Sequence, residues 1–119
     1  MRELQARIGA FDAERFQSLG PGYLALSLAG EAGELANVVK KLWRLHPEIG
    51  APDGFAAVSP EARSTIADEL ADIVMLSLVL ANHLGIDAEG EVLRKLEVID
   101  QRLRAGYYGH EAQDGFPLP

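Results

Sequence analysis

The sequence predicts an all-α protein, a helical bundle of the four-helix type. Three observations predict it. Four stretches carry apolar residues at steps of three and four, the spacing that lines one face of a helix. No stretch alternates apolar and polar residues long enough to suggest a sheet. The chain has 119 residues, 48% of them apolar, which is the size of one small domain. We expect residues 1–105 to form the helical domain and 106–119, with its glycines and prolines, to form an irregular tail.

The first helix is expected over 2–18, with Leu4, Ile8 and Phe11 at helical spacing, and Gly20-Pro21-Gly22 breaks the chain after it. The second runs from Pro21 or Tyr23 to Leu45 along a stripe of Leu24, Leu28, Leu35, Val38 and Leu42. Position 31 belongs on that stripe by spacing, yet it holds Glu31. The helix is expected to stop near His46-Pro47, before a loop over 46–59 rich in Pro, Gly and Ala.

Ser59-Pro60-Glu61 starts the third helix with a capping hydroxyl, a first-turn proline and an acid near the positive end of the dipole. That helix reaches about Leu84. It is apolar on all faces between Ile73 and Ala81 except at Ser77, as a central helix is. Gly85 suits its C-terminal cap. Asp87 is placed to cap the fourth helix, whose stripe is Val92, Leu96, Ile99 and Leu103. One subunit offers few helices to cover the third, so we expect the bundle to be completed by oligomerisation, at least as a homodimer.

Composition narrows the function. There is no cysteine, so neither a disulfide framework nor a thiolate metal site can form. The formal charge of −7 argues against broad nucleic-acid binding. The longest charge-free apolar run, Ile73 to Ala81, is far short of the ~20 residues that span a membrane. A soluble, cytoplasmic protein with neither nucleic acid nor membrane as partner is the expectation.

The chemistry lies in two pairs of acids. Glu31 and Glu34 are three apart on the second helix, so they share a face, and Glu69 and Asp72 repeat the arrangement on the third. Solvated surface acids commonly take this spacing. Here, however, Glu31 interrupts an apolar stripe, and Glu69 shares a flank with Ile66, Ile73 and Leu76. Neither pair has a lysine or arginine four residues on. Carboxylates gathered without basic partners repel and are costly to desolvate. A hard divalent cation resolves both problems, and oxygen donors suit Mg²⁺ shared with substrate phosphates.

The histidines, His46, His83 and His110, include none three residues after a glutamate, so the Glu-x-x-His signature of di-iron bundles is missing. His83 reads as a structural or dipole-facing residue. Lys40, Lys41 and Arg44 follow the first pair and could reach phosphate oxygens, although basic residues at a helix end are common.

With these residues in view, the chain resembles the MazG-like all-α nucleoside triphosphate pyrophosphohydrolases. That family's pattern is Glu-x-x-Glu on one helix and Glu-x-x-Asp on a later one. Here it stands as Leu28-Ala29-Gly30-Glu31-Ala32-Gly33-Glu34-Leu35-Ala36 and Asp68-Glu69-Leu70-Ala71-Asp72-Ile73-Val74. Leu80-Ala81-Asn82-His83-Leu84-Gly85-Ile86-Asp87 resembles the family's link into its last helix, and the similarity spans about residues 4–104.

The resemblance implies hydrolysis of a (deoxy)nucleoside triphosphate to a monophosphate and pyrophosphate, a role in nucleotide-pool housekeeping, and a dimer or tetramer. It implies Mg²⁺, with Mn²⁺ as a substitute, held by Glu31, Glu34, Glu69 and Asp72 as the catalytic acids. Lys95 resembles a family lysine that contacts substrate phosphates; its alternative is a solvated pair with Glu91. Lys41 and Trp43 are further candidates for substrate contact, with an interface or core role as the alternative for Trp43. Family members that select pyrimidine deoxynucleotides often have a tryptophan and a histidine before the second helix, whereas this chain reads Glu14-Arg15-Phe16-Gln17-Ser18-Leu19-Gly20. Two rivals stand beside this reading: a phosphoribosyl-ATP pyrophosphohydrolase, and a non-catalytic helical interaction or regulatory module.

Overall fold

The computed structural model describes residues 1–15 and 20–106, with side chains omitted at 14 and 15. Among these residues there are four α-helices and no strand: α1 (Arg2–Arg15), α2 (Pro21–Leu45), α3 (Pro60–His83) and α4 (Ala88–Arg104). The last residues of the expected first helix, 16–18, and the expected irregular tail beyond Gly106 lie outside the described residues.

Local chemistry sets the ends of these helices. α2 begins with Pro21 in its first turn after an extended Gly20, and it closes where the His46 N–H bonds to the Leu42 carbonyl at 2.8 Å, just before Pro47. The loop that follows is more ordered than its composition suggests, holding two 3-10 turns, Pro47–Gly50 and Gly54–Ala57. Gly54 is required there, because a Cβ would stand 2.3 Å from the Glu48 carbonyl oxygen. α3 starts as expected: Ser59 Oγ accepts from the Ala62 N–H at 3.2 Å. It ends in a Schellman motif, with Gly85 at φ +67° and bonds from Gly85 N to Asn82 O (3.2 Å) and from Ile86 N to Ala81 O (2.8 Å).

α2 and α3 form the main hairpin, and α1 packs on α3. The contact of α1 differs from its apolar stripe. Leu4 and Phe11 stay about half exposed, while Gln5 and Asp12 are buried. Gln5 donates to the Ile86 carbonyl at 2.7 Å, accepts from the first amide of α4, Ala88 N, at 3.1 Å, and its own carbonyl accepts from Asn82 Nδ2 at 3.0 Å. Gly9 leaves room for Asn82, whose Nδ2 would lie 3.1 Å from a Cβ there. Gln5, Gly9 and Asp12 thus form a polar helix stripe that staples α1 to the α3–α4 link. Asp87 occupies the N-cap position of α4; its carboxylate pairs with Arg2 at 3.0 Å, and Arg2, then the first-turn amides of Gly90 and Glu89, hold it below the usual carboxylate range.

Among the described residues the buried apolar core is small: Leu24, Leu78, Val79 and Ala81. α4 meets the rest of the chain chiefly through α1, and Val92, Leu93 and Leu96 are more than half exposed. The radius of gyration is 17.2 Å, against about 13.5 Å for a compact domain of this length. No helix among the described residues is long and apolar enough to cross a membrane.

Candidate metal centre and its flanking clefts

The two inward stripes of the hairpin each carry one glutamate. On α2 the half-buried positions are 27, 28, 31, 35, 38, 39 and 42, so Glu31 sits on the stripe its spacing assigns. On α3 they include 62, 66, 69, 73 and 76, so Glu69 does the same. Antiparallel packing sets the two side by side, and Asp72 joins them from one turn further along α3. One carboxylate oxygen from each of Glu31, Glu69 and Asp72 lies within 4.8 Å of the others.

Glu34 lies outside this triad. It is exposed, on the side of α2 that carries Gly30, Gly33, Asn37 and Lys40, yet its charge reaches Glu69.

The electrostatics of the triad are unfavourable as they stand. Oε2 of Glu31 and Oε2 of Glu69 are both buried without a hydrogen-bond partner. Among the described residues none of the four acids forms an ion pair. The Glu31 carboxylate, then burial, then the charges of Glu34, Glu31 and Asp72 push Glu69 up to about 7. Buried acceptors without donors carry a desolvation penalty, which either a proton or a cation relieves. The donor set is all oxygen, as Mg²⁺ and Mn²⁺ prefer. In octahedral Mg²⁺ geometry the ligand oxygens are at most about 4.2 Å apart, so small side-chain rotations within the triad suffice. The residues fit a divalent cation.

Apolar clefts flank the triad along the hairpin. On the loop side a cavity of about 640 Å³ lies between Leu35, Leu42, Phe55, Ile66 and Leu70, with Arg63 as its charged member. On the α1 side a cleft of about 110 Å³ lies between Phe11, Leu24, Met75, Leu76 and Val79, with Asp12 at its wall.

The remaining candidates are spread out. Lys41 falls two turns beyond Glu34 on the same face of α2, about 10 Å along the axis. Trp43 projects from the opposite face, and its indole lies on Gly50, where a Cβ would come within 2.9 Å of Cζ2. Lys95 is exposed on α4, whose main neighbour is α1 and not the hairpin. Glu91, its alternative partner, pairs with Arg94 at 2.8 Å. Sequence reasoning passed over Asp12, which is buried and accepts from His83 Nε2 at 2.9 Å. The Gln5-Gly9-Asp12 spacing was its available signal.

Comparison with known proteins places the chain in a family. Residues 48–107, about half of the chain and including Glu69 and Asp72, match the MazG-like family. The chain is 34% identical to human dCTP pyrophosphatase 1 over 106 residues, covering 88% of this chain and 58% of that protein. It is 34% identical to bovine dCTP pyrophosphatase 1 over 103 residues, covering 86% and 56% respectively. The chain thus spans less than three fifths of either pyrophosphatase. It is also 32% identical over 98 residues to the Gene 37 protein of Mycobacterium phage L5, covering 82% of this chain and 77% of that one. No solved structure gives a significant match. An all-helical fold, acid pairs on the paired helices of one hairpin and these relatives together lead to one conclusion: the chain belongs to the MazG-like family.

Proposed function

We propose that this chain hydrolyses a nucleoside triphosphate between its α and β phosphates, releasing a nucleoside monophosphate and pyrophosphate. One observation carries the reading: Glu31 and Glu69 each bury an oxygen that has no partner, beside Asp72 and between two apolar clefts. Glu31, Glu69 and Asp72 would hold Mg²⁺, or Mn²⁺ in its place, with Glu34 completing the set from the exposed side. A cation held by these acids would supply charge neutralisation at the substrate phosphates. The chain's own acids supply the proton step. Water adds to the α-phosphorus, the bond to the bridging oxygen breaks, pyrophosphate leaves, and the water proton passes to a carboxylate of the cluster, Glu34 or Glu31. Glu34 has open space beside it for that water. Lys41, Trp43 and Lys95 are proposed as substrate contacts.

The names of the two mammalian relatives make dCTP the first substrate to try. Nucleotide-pool housekeeping in the cytoplasm is the role this reaction would serve. A homodimer or tetramer is part of the proposal, supported by the exposed apolar residues Leu70, Val74 and Met75 on α3 and Val92, Leu93 and Leu96 on α4. We also propose that 1–105 is the functional helical domain and 106–119 a separate tail.

The test is release of pyrophosphate across all ribo- and deoxyribonucleoside triphosphates with Mg²⁺. A monophosphate and pyrophosphate in equal amounts are expected. Diphosphate and orthophosphate, or no release from any nucleotide, would refute the reading.

A further inference from the structure

We propose that the chamber between α2, α3 and the loop joining them is a binding site for a small organic monocarboxylate, whose apolar body fills the chamber and whose carboxylate is held by Arg63. This site is separate from the acid triad, and it stands whether or not the chain hydrolyses a nucleotide.

Three features of the chamber lead there. The first is that its walls are built. Ile49 and Phe55, from the two 3-10 turns, line it together with Leu35 and Leu42 of α2 and Ile66 of α3. The loop is fixed at two points: Gly54, without a Cβ, lies against the Glu48 carbonyl, and Gly50 carries the Trp43 indole. These contacts set how far the loop stands from the hairpin, so the chamber is largely formed before a ligand arrives.

The second is size and lining. The chamber measures about 640 Å³, within the roughly 300–1,000 Å³ typical of small-molecule sites. Its side chains are apolar apart from Arg63. Burying an alkyl chain or a hydrocarbon ring there is favourable, whereas a sugar or a peptide would leave polar groups without partners.

The third is an unanswered charge. Arg63 is the one charged side chain lining the chamber among the described residues, and it forms no ion pair there. Glu48, an acid of the loop, lies against His46 at 3.6 Å instead. Arg63 also stands at the end of the first turn of α3, near the positive end of the helix dipole, where an anion is favoured and a cation is not. An anion in the chamber mouth offsets both charges, and the planar guanidinium fork matches a carboxylate. A chain of net charge −7 repels a singly charged ligand less than a phosphate dianion, so the monocarboxylate is the better fit.

The experiment titrates the full chain with octanoate and with octanamide, its neutral counterpart, reading Trp43 fluorescence and melting temperature. Trp43 is the chain's one tryptophan, and its indole lies on Gly50, next to Ile49 in the chamber wall. Octanoate is expected to bind saturably and at least about fivefold more tightly than octanamide, as a charge-assisted pair at a partly open site allows. It should also raise the melting temperature, because it touches α2, α3 and the loop at once. Arg63 is exposed, so Arg63→Gln should fold. In that variant the ratio should drop close to one while octanamide binds as before. Val39→Phe crowds the chamber from α2 and should weaken both ligands alike. No saturable octanoate binding, an unchanged ratio in Arg63→Gln, or unchanged affinities in a folded Val39→Phe would overturn the proposal. A wild type that ignores octanoate, with Arg63→Gln scattering light as a smaller species, would overturn it in favour of a second copy seated on the chamber.

Discussion

The α2–α3 hairpin packs two stripes against each other and keeps acids between them, whereas α4 carries a cleaner apolar stripe and leaves much of it in solvent. Within the chain both regions are unfinished, for opposite reasons. The hairpin encloses buried oxygens at Glu31 and Glu69 that want a proton or a cation. α4 exposes Val92, Leu93 and Leu96, which want an apolar cover. The difference separates two kinds of helix face: one gathers acids between packed helices, and the other leaves apolar residues in solvent.

The largest effect is expected inside the hairpin. Replacing Glu31, Glu34, Glu69 or Asp72 by the matching amide should cut pyrophosphate release at least about 100-fold while circular dichroism stays helical. A residual activity above a tenth of wild type in all four variants would reduce the hairpin acids to surface decoration. The matching break on α4 is Leu96→Asp, which places a charge in the exposed stripe. Light scattering should show the wild type as a dimer or larger, and Leu96→Asp shifted towards the 12.9 kDa monomer. An oligomer that ignores this change would mean that α4 is not the covering surface.

A subtler contrast concerns pH. Glu69 is raised from 4.5 to about 7, chiefly by Glu31. Its folded value exceeds its unfolded one, so the native state holds more protons between those pH values and stability falls as pH rises through them. Metal-free protein should therefore melt higher near pH 5 than near pH 8, apart from other titrations, and Glu69→Gln should flatten that slope. A cation competes with the same proton, so Mg²⁺ should bind more tightly as pH rises through 7. Melting curves with and without Mg²⁺ at both pH values check both statements.

The smallest effect is at a helix end. Ser59→Ala removes the cap bond to Ala62 N and should cost about 1 kcal/mol, a few degrees in Tm, without altering metal binding.

The helices and the acid pairs were legible in the sequence because both rest on local spacing. Glu31 reads as misplaced on its stripe, and the structure puts it on the inward face beside Glu69. Pro21, Ser59, Pro60 and Gly85 mark helix ends through backbone constraints confined to a few neighbours. What the sequence hid depends on partners far along the chain. Gln5 binds Ile86 and Ala88, and Asp12 binds His83. The apolar pattern of α1, Leu4-Ile8-Phe11, marks a face that is only partly covered, with Ile8 and Phe11 at the cleft beside Leu24 and Val79, while the polar stripe supplies the hydrogen bonds. The fourth helix shows the same limit. Periodicity identifies its apolar face but does not say what covers that face.

The most direct test of the central claim is calorimetric titration of Mg²⁺, with Mn²⁺ in parallel, into wild type and Glu69→Gln at pH 8. If the hairpin acids hold the cation, the wild type should show saturable binding and an increase in melting temperature, and both should be lost or strongly weakened in Glu69→Gln while its helical content is unchanged. Identical isotherms and identical melting shifts for the two proteins would contradict the account.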